Sequence, residues 1–155
     1  MQATKDLSAF KKNLVRLSIL LFALSLTQKA YCTATQCSDS IMVLLLGWAG
    51  LTSGISGIAW FANPLLIASW LMLRRNLTAG MFMSIGAALL AMSFLVFDTV
   101  ATSESGHTGQ VTNYKAGYWL WMGSTFCMLA ASFYLKLMAN REAMRQRPKP
   151  NEYLH

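Results

Sequence analysis

The side chains whose types and spacing could do chemistry are three cysteines, an asparagine beside a proline, and a carboxylate near an imidazole. Cys32 and Cys37 flank a short polar stretch, close enough for a turn to bring their α-carbons into disulfide range, usually about 4.4 to 6.8 Å. Such a bridge persists in a periplasm or outside a cell. A catalytic dithiol usually has Cys-x-x-Cys spacing and groups nearby that lower a thiol pKa, and this stretch has neither. A structural staple is therefore preferred over thiol redox catalysis, in which Cys127 would be a third participant. Glu104 and His107 read as solvated loop residues rather than metal ligands. Met81, Met83, Met92, Met122 and Met128 form no regular ladder and read as packing residues rather than a copper(I) site. No catalytic constellation, cofactor or metal is expected.

Asn63 is the most polar group within an apolar run, and Pro64 follows it. Residues 41–73 carry no charge and end on Arg74-Arg75. As one helix they would reach about 50 Å against roughly 30 Å of bilayer hydrocarbon, too long for a straight crossing. The expected crossing is residues 53–73, anchored by Arg74 and Arg75 at the cytoplasmic surface, and residues 41–51 form an interfacial or re-entrant segment with Trp48 at headgroup depth. Pro64 should kink the crossing near Ala59 and Trp60, because proline lacks an amide donor and clashes with the carbonyl four residues back. Asn63 or Ser56 would satisfy the freed carbonyl. This structural role is preferred over a polar path lined by Asn63, Ser56 and Thr52.

The bulk properties agree with lipid as the solvent. The chain has 155 residues, 55% hydrophobic and 12% charged, where soluble domains carry about 25% charged residues. The net charge of +7 sits at segment ends rather than along one face, which excludes nucleic acid as a partner.

Three further crossings are expected. Residues 14–31 form the first, after a basic lead-in; a cleaved signal peptide is the alternative. Residues 77–97 form a crossing closed by Asp98. Residues 116–137 form the last, with Tyr118, Trp119 and Trp121 as an aromatic belt at its outer interface. Residues 32–40 and 99–113 read as polar outer loops, and 139–155 as a basic cytoplasmic tail. Small residues four apart, Ser53 with Gly57, Gly80 with Ser84, and Gly123 with Cys127, would let helices approach closely. The expected fold is all-α: an integral membrane four-helix bundle in one domain, with both termini cytoplasmic because the basic residues concentrate on that side.

The segments GWAG at 47–50, WFANPLLIASW at 60–70 and GYWLW at 117–121 resemble a group of small polytopic bacterial membrane proteins. These carry a Gly-Trp turn, a Trp-Leu-Ala-Asn-Pro-Leu-like segment and a later Gly-Tyr-Trp-Leu-Trp run, and Phe61 stands here where leucine is usual. The group has no assigned activity, so the resemblance implies a multi-pass location in a bacterial inner membrane and no mechanism. Three functions follow as expectations. The first is a non-enzymatic accessory protein binding a membrane-protein partner or a copy of itself within the lipid bilayer. The others are a small oligomeric transporter or channel, and a membrane thiol oxidoreductase using Cys32 and Cys37.

Overall fold

The computed structural model describes residues 2–52, 55–96, 99–101 and 108–146, with side chains over 9–50, 57–73, 75–96, 99–100 and 109–146. Helix α1 (Gln2–Leu26) runs into strands β1 (Lys29–Thr33) and β2 (Cys37–Asp39). A short helix α2 (Ser40–Leu46) and two 3₁₀ helices (Gly47–Thr52 and Ile55–Phe61) lead to α3 (Ala62–Arg75) and α4 (Leu77–Ser93). Strands β3 (Thr99–Ala101) and β4 (Thr108–Tyr114) then precede the long helix α5 (Ala116–Arg145).

The all-α expectation is corrected by the sheet. The segments expected as outer loops, together with residues 29–31 from the end of the expected first crossing, pair into four antiparallel strands in the order β2-β1-β4-β3. Tyr31 pairs with Tyr114 and Cys32 with Asn113 across β1 and β4, so the centre of the sheet joins two distant parts of the chain. β-Branched and aromatic residues at Tyr31, Thr33, Val111, Thr112 and Tyr114 suit a pleated, half-buried surface. The Thr112 hydroxyl also donates to the Cys32 carbonyl at 3.0 Å.

The expectation of four membrane spans is corrected as well. Among the described residues one helix, Ala116–Arg145, is long and apolar enough to cross a membrane by length and composition. The run expected as the crossing 53–73 is divided: a 3₁₀ helix ends at Phe61 and α3 begins at Ala62. Pro64 falls in the first turn of α3, which continues without a break from the 3₁₀ helix; the Trp60 carbonyl, four residues back and left without the Pro64 donor, accepts from Asn63 Nδ2 at 3.0 Å, a partner expected from the sequence. The change of helix geometry, from 3₁₀ to α, falls between Phe61 and Ala62, next to the expected place. Residues 41–51, expected as one interfacial segment, are shared between α2 and the first 3₁₀ helix. The span expected at 14–31 ends as helix at Leu26, because the chain turns there to enter β1.

Two apolar clusters hold these layers together. One lies between the helices, around Val15, Leu66, Ala87, Met128 and Leu135. The other lies between the sheet and the helix ends, around Tyr31, Ala59, Phe94, Val100 and Tyr118. Asn76 separates α3 from α4 in a single residue: its amide donates to the Met72 carbonyl, and its side chain accepts from the amides of Thr78 and Ala79 as the N-cap of α4. The two helices then pack so closely that a methyl group on Gly80 would lie 2.9 Å from the Leu73 backbone. This hairpin, together with α1 packed on α5, holds the sheet at one end of the helices.

Candidate functional site

Beneath the sheet lies a cavity of about 660 Å³. Its walls come from the end of α1 (Phe22, Leu26), strand β1 (Tyr31), α2 with the 3₁₀ segments (Val43, Trp48, Trp60), and the start of α5 (Tyr118, Trp121). Each wall is fixed by a contact of its own. The Tyr118 hydroxyl donates to the Ala91 carbonyl at 2.9 Å and Tyr114 to the Phe94 carbonyl at 3.0 Å, tying α5 and β4 to the end of α4. The rings of Tyr31, Phe94, Tyr114 and Tyr118 pack as a continuous group, with centroids 4.8 to 6.0 Å apart. On the opposite wall the Trp60 indole donates to the Leu44 carbonyl at 2.8 Å. Gly47 lies against that indole so closely that a methyl group would come within 2.6 Å of Cδ1. Glycine at 47 is thus what lets the two 3₁₀ helices fold back over each other.

The polar groups of the cavity are few. Asn63 is buried and its amide is engaged on both sides: Nδ2 donates to the Trp60 carbonyl at 3.0 Å, and Oδ1 accepts from Trp121 Nε1 at 2.9 Å. It bridges the start of α3 to α5. Burial pushes the Tyr31 hydroxyl pKa above the ordinary tyrosine range, against the lowering effect of its hydrogen bond with Ser38. Ser25 donates to the Phe22 carbonyl at 2.6 Å. Ser40 differs from all of these, because it is 92% buried and its hydroxyl has no hydrogen-bond partner among the described residues. No Asp, Glu, Lys, Arg or His is among the described residues that line the space.

Ser40 is trapped at a junction. Its amide donates to the Gln28 carbonyl, closing the hairpin of β1 and β2, and Gly117 of α5 packs directly upon it. A methyl group at 117 would overlap Ser40 Oγ and come within 2.7 Å of the Lys29 carbonyl oxygen.

The other residues singled out in the sequence are distributed as follows. Cys32 and Cys37 are cross-strand partners joined by a disulfide, and neither lines the cavity. Cys127 is a free thiol whose Sγ lies 3.8 Å from the Leu14 carbonyl oxygen. Leu14 is twelve residues before the end of α1, about 18 Å along the helix from the sheet end, so no three-cysteine site forms. Trp48 and Trp119 are 56% and 53% exposed, whereas Tyr118 is interior at 3%. Trp121 is half-buried on Asn63. Arg75 is exposed at the end of α3 away from the sheet. Gly80 and Ser84 are buried between helices, while nothing lies within 4 Å of a methyl group placed on Gly123. The side chains of Thr52, Ser56 and Arg74, and all of Ser53, Asp98, Glu104, His107 and residues 147–155, lie outside the described residues. Among the described residues no group of three or more His, Cys, Asp or Glu could hold a metal ion.

Sequence reasoning missed Ser40, Gly117, Tyr31 and Trp60 as cavity residues. The available signal was Gly47 in one apolar segment and Trp60 in the next, a small residue and a large one meeting across a fold in the chain. No protein-family model, curated protein or solved structure matches the chain.

Proposed function

We propose that this chain is a non-enzymatic protein of the membrane that holds a partner molecule in the cavity beneath its sheet. The observation that carries the reading is the set of large apolar side chains turned outward on the helices, over buried serines. Leu20, Leu71, Phe82, Leu89 and Phe133 are all more than half exposed. Between the helices Ser18, Ser69, Ser84, Ser124 and Ser132, each fully buried, stand among the apolar residues of the cluster around Leu66 and Met128. Large apolar side chains facing outward on every long helix are not what water favours. In lipid, apolar side chains outside cost nothing, and small hydroxyl residues let helices approach and hydrogen-bond across the contact. Ser18 and Ser124 do so reciprocally, each donating to the other's carbonyl at 3.0 and 2.8 Å, while Trp70 Nε1 donates to Ser18 Oγ at 3.0 Å.

The sheet then lies on the oxidising side, a placement supported by the Cys32–Cys37 bridge. Arg75, Lys136, Arg141 and Arg145 gather at the far end of α3 and α5, which supports a cytoplasmic position for that end. The cavity supplies the binding role, since 660 Å³ falls within the roughly 300–1,000 Å³ of small-molecule sites. The transporter reading is less well supported because Asn63 has its donor and acceptor engaged within the protein. The redox reading is less well supported because its cysteines lie off the cavity.

Two fractionations test the proposal. After alkaline washing and ultracentrifugation the chain should remain in the membrane pellet. After purification in mild detergent, native mass spectrometry should show a species heavier than the bare chain. A chain that stays in the supernatant without detergent refutes the membrane reading, and a bare mass under conditions that retain bound lipid in other membrane proteins refutes the binding role.

A further inference from the structure

We infer that the cavity takes an uncharged single-chain amphiphile, its polar head at Ser40 and its hydrocarbon chain along the aromatic and aliphatic walls. The inference rests on the binding role proposed above and adds the chemical class of the ligand.

Two independent observations carry it. The first is the lining. Phe22, Leu26, Val43 and Leu46 form an apolar wall continuous with Trp48 and Trp60, and no charged side chain stands among the described lining residues. An ionised head in such a lining would lose its hydration without gaining a counter-charge, a loss much greater than that of a neutral hydroxyl or ester that finds a hydrogen bond. The nearest ion pair to this end of the sheet, Lys29 with Asp39 at 3.5 Å, is exposed and already satisfied. The site therefore selects against fatty-acid carboxylates and phospholipid phosphates.

The second observation is Ser40 itself. A buried hydroxyl without a partner is uncommon and unfavourable, and calls for a reason. Every other cavity hydroxyl described above has a partner within the protein. Ser40 lines the cavity, but its Oγ as placed is covered by Gly117, so binding requires χ1 to turn the hydroxyl to another staggered well, toward the space. A ligand head that offers an acceptor, as an alcohol, a glycerol monoester or a quinone carbonyl does, would satisfy it.

Three tryptophans in the walls provide the readout, because bromine on a hydrocarbon chain quenches indole fluorescence on contact. Full-length protein in detergent is titrated with a monoacylglycerol brominated along its chain and, separately, with an alkyl sulfonate of the same brominated chain. The expected result is saturable quenching at one monoacylglycerol per chain, with the sulfonate at least about tenfold weaker. Ser40→Ala should weaken the neutral ligand about fivefold, the loss of one hydrogen bond. Val43→Phe, which fills the cavity from α2, should abolish the saturable component and leave the non-saturating quenching of exposed tryptophans. Circular dichroism establishes that each variant is folded; if one is not, the comparison of neutral and anionic chains in the unaltered protein still decides. Equal quenching by both amphiphiles, or undiminished saturable quenching in folded Val43→Phe, overturns the inference. Saturable binding of the sulfonate alone would keep the cavity as a binding site and refute only the neutral class.

Discussion

Gly117 and Gly123 stand six residues apart on the same helix, yet a methyl group on each should have opposite consequences. At Gly123 a Cβ meets nothing within 4 Å. Alanine there gains helix propensity, up to about 1 kcal/mol, and forfeits nothing. At Gly117 the new methyl overlaps Ser40 Oγ and lies 2.7 Å from the Lys29 carbonyl oxygen and 3.0 Å from its carbon. The serine can rotate away, but the Lys29 carbonyl cannot: it belongs to β1, whose neighbour Ala30 accepts from the Lys115 amide at 2.9 Å. Relief requires the start of α5 to withdraw from the sheet. Overpacking of this kind costs about 1–3 kcal/mol. At about 2–4 °C per kcal/mol for a chain of this size, Gly117→Ala should lower Tm by roughly 2–12 °C. Gly123→Ala should leave it unchanged or slightly higher. Thermal unfolding of the two variants in the same detergent, followed by circular dichroism, makes the comparison. Equal shifts, or a Gly117→Ala variant as stable as the parent, would refute the docking of α5 on the junction of β1 and α2.

Other outcomes follow from single contacts. Thiol labelling of the denatured, unreduced chain should modify Cys127 alone, and prior reduction should expose Cys32 and Cys37 as well; three reactive thiols before reduction would contradict the bridge. Asn63→Ala leaves the Trp121 indole donor without its acceptor and should cost about 1–3 kcal/mol. A double-mutant cycle with Trp121→Phe should return a coupling of at least about 0.5 kcal/mol, and a value near zero would break the bridge between α3 and α5. The raised pKa of Tyr31 means that folding favours its neutral form. Its contribution is fully present below the ordinary tyrosine pKa, about 10, and is lost as pH rises through the higher folded value. Tyr31→Phe should therefore flatten the alkaline fall in Tm, and an unaltered alkaline profile would contradict the burial of that hydroxyl.

What could be read in the sequence was what hydrophobic runs and local chemistry encode. The starts of α4 at Leu77 and α5 at Ala116 follow the basic and polar residues that precede them, and the break between α3 and α4 follows Arg74-Arg75. The sheet was hidden for physical reasons. Its strands are short and polar, and irregularities after Lys29 and after Cys32 interrupt the alternation that marks a strand. Its central pairing, Tyr31 with Tyr114, is visible only once the helices have brought those residues together. Asn63 and Pro64 were legible because their chemistry is local: the carbonyl that Pro64 leaves without a donor, at Trp60, takes the Asn63 amide. What the run did not show is that the helix before Ala62 is 3₁₀ rather than α. The cavity was the least legible feature, because α1, β1, α2 and α5 each contribute one wall and none carries a local motif for it. Tyr118 lies deep in the interior for the same reason, although it stands in an aromatic cluster beside the exposed Trp119.

The measurement that bears most directly on the account places a spin label at Leu89 or Phe126, on the apolar exterior of α4 and α5, and at Gln110 on β4, in protein reconstituted into vesicles. Labels at Leu89 and Phe126 should collide readily with dissolved oxygen and hardly at all with a water-soluble nickel chelate, while the label at Gln110 should do the reverse. Equal nickel accessibility at Leu89 and Gln110 would mean that water surrounds the helices, and would contradict the reading on which the binding role depends.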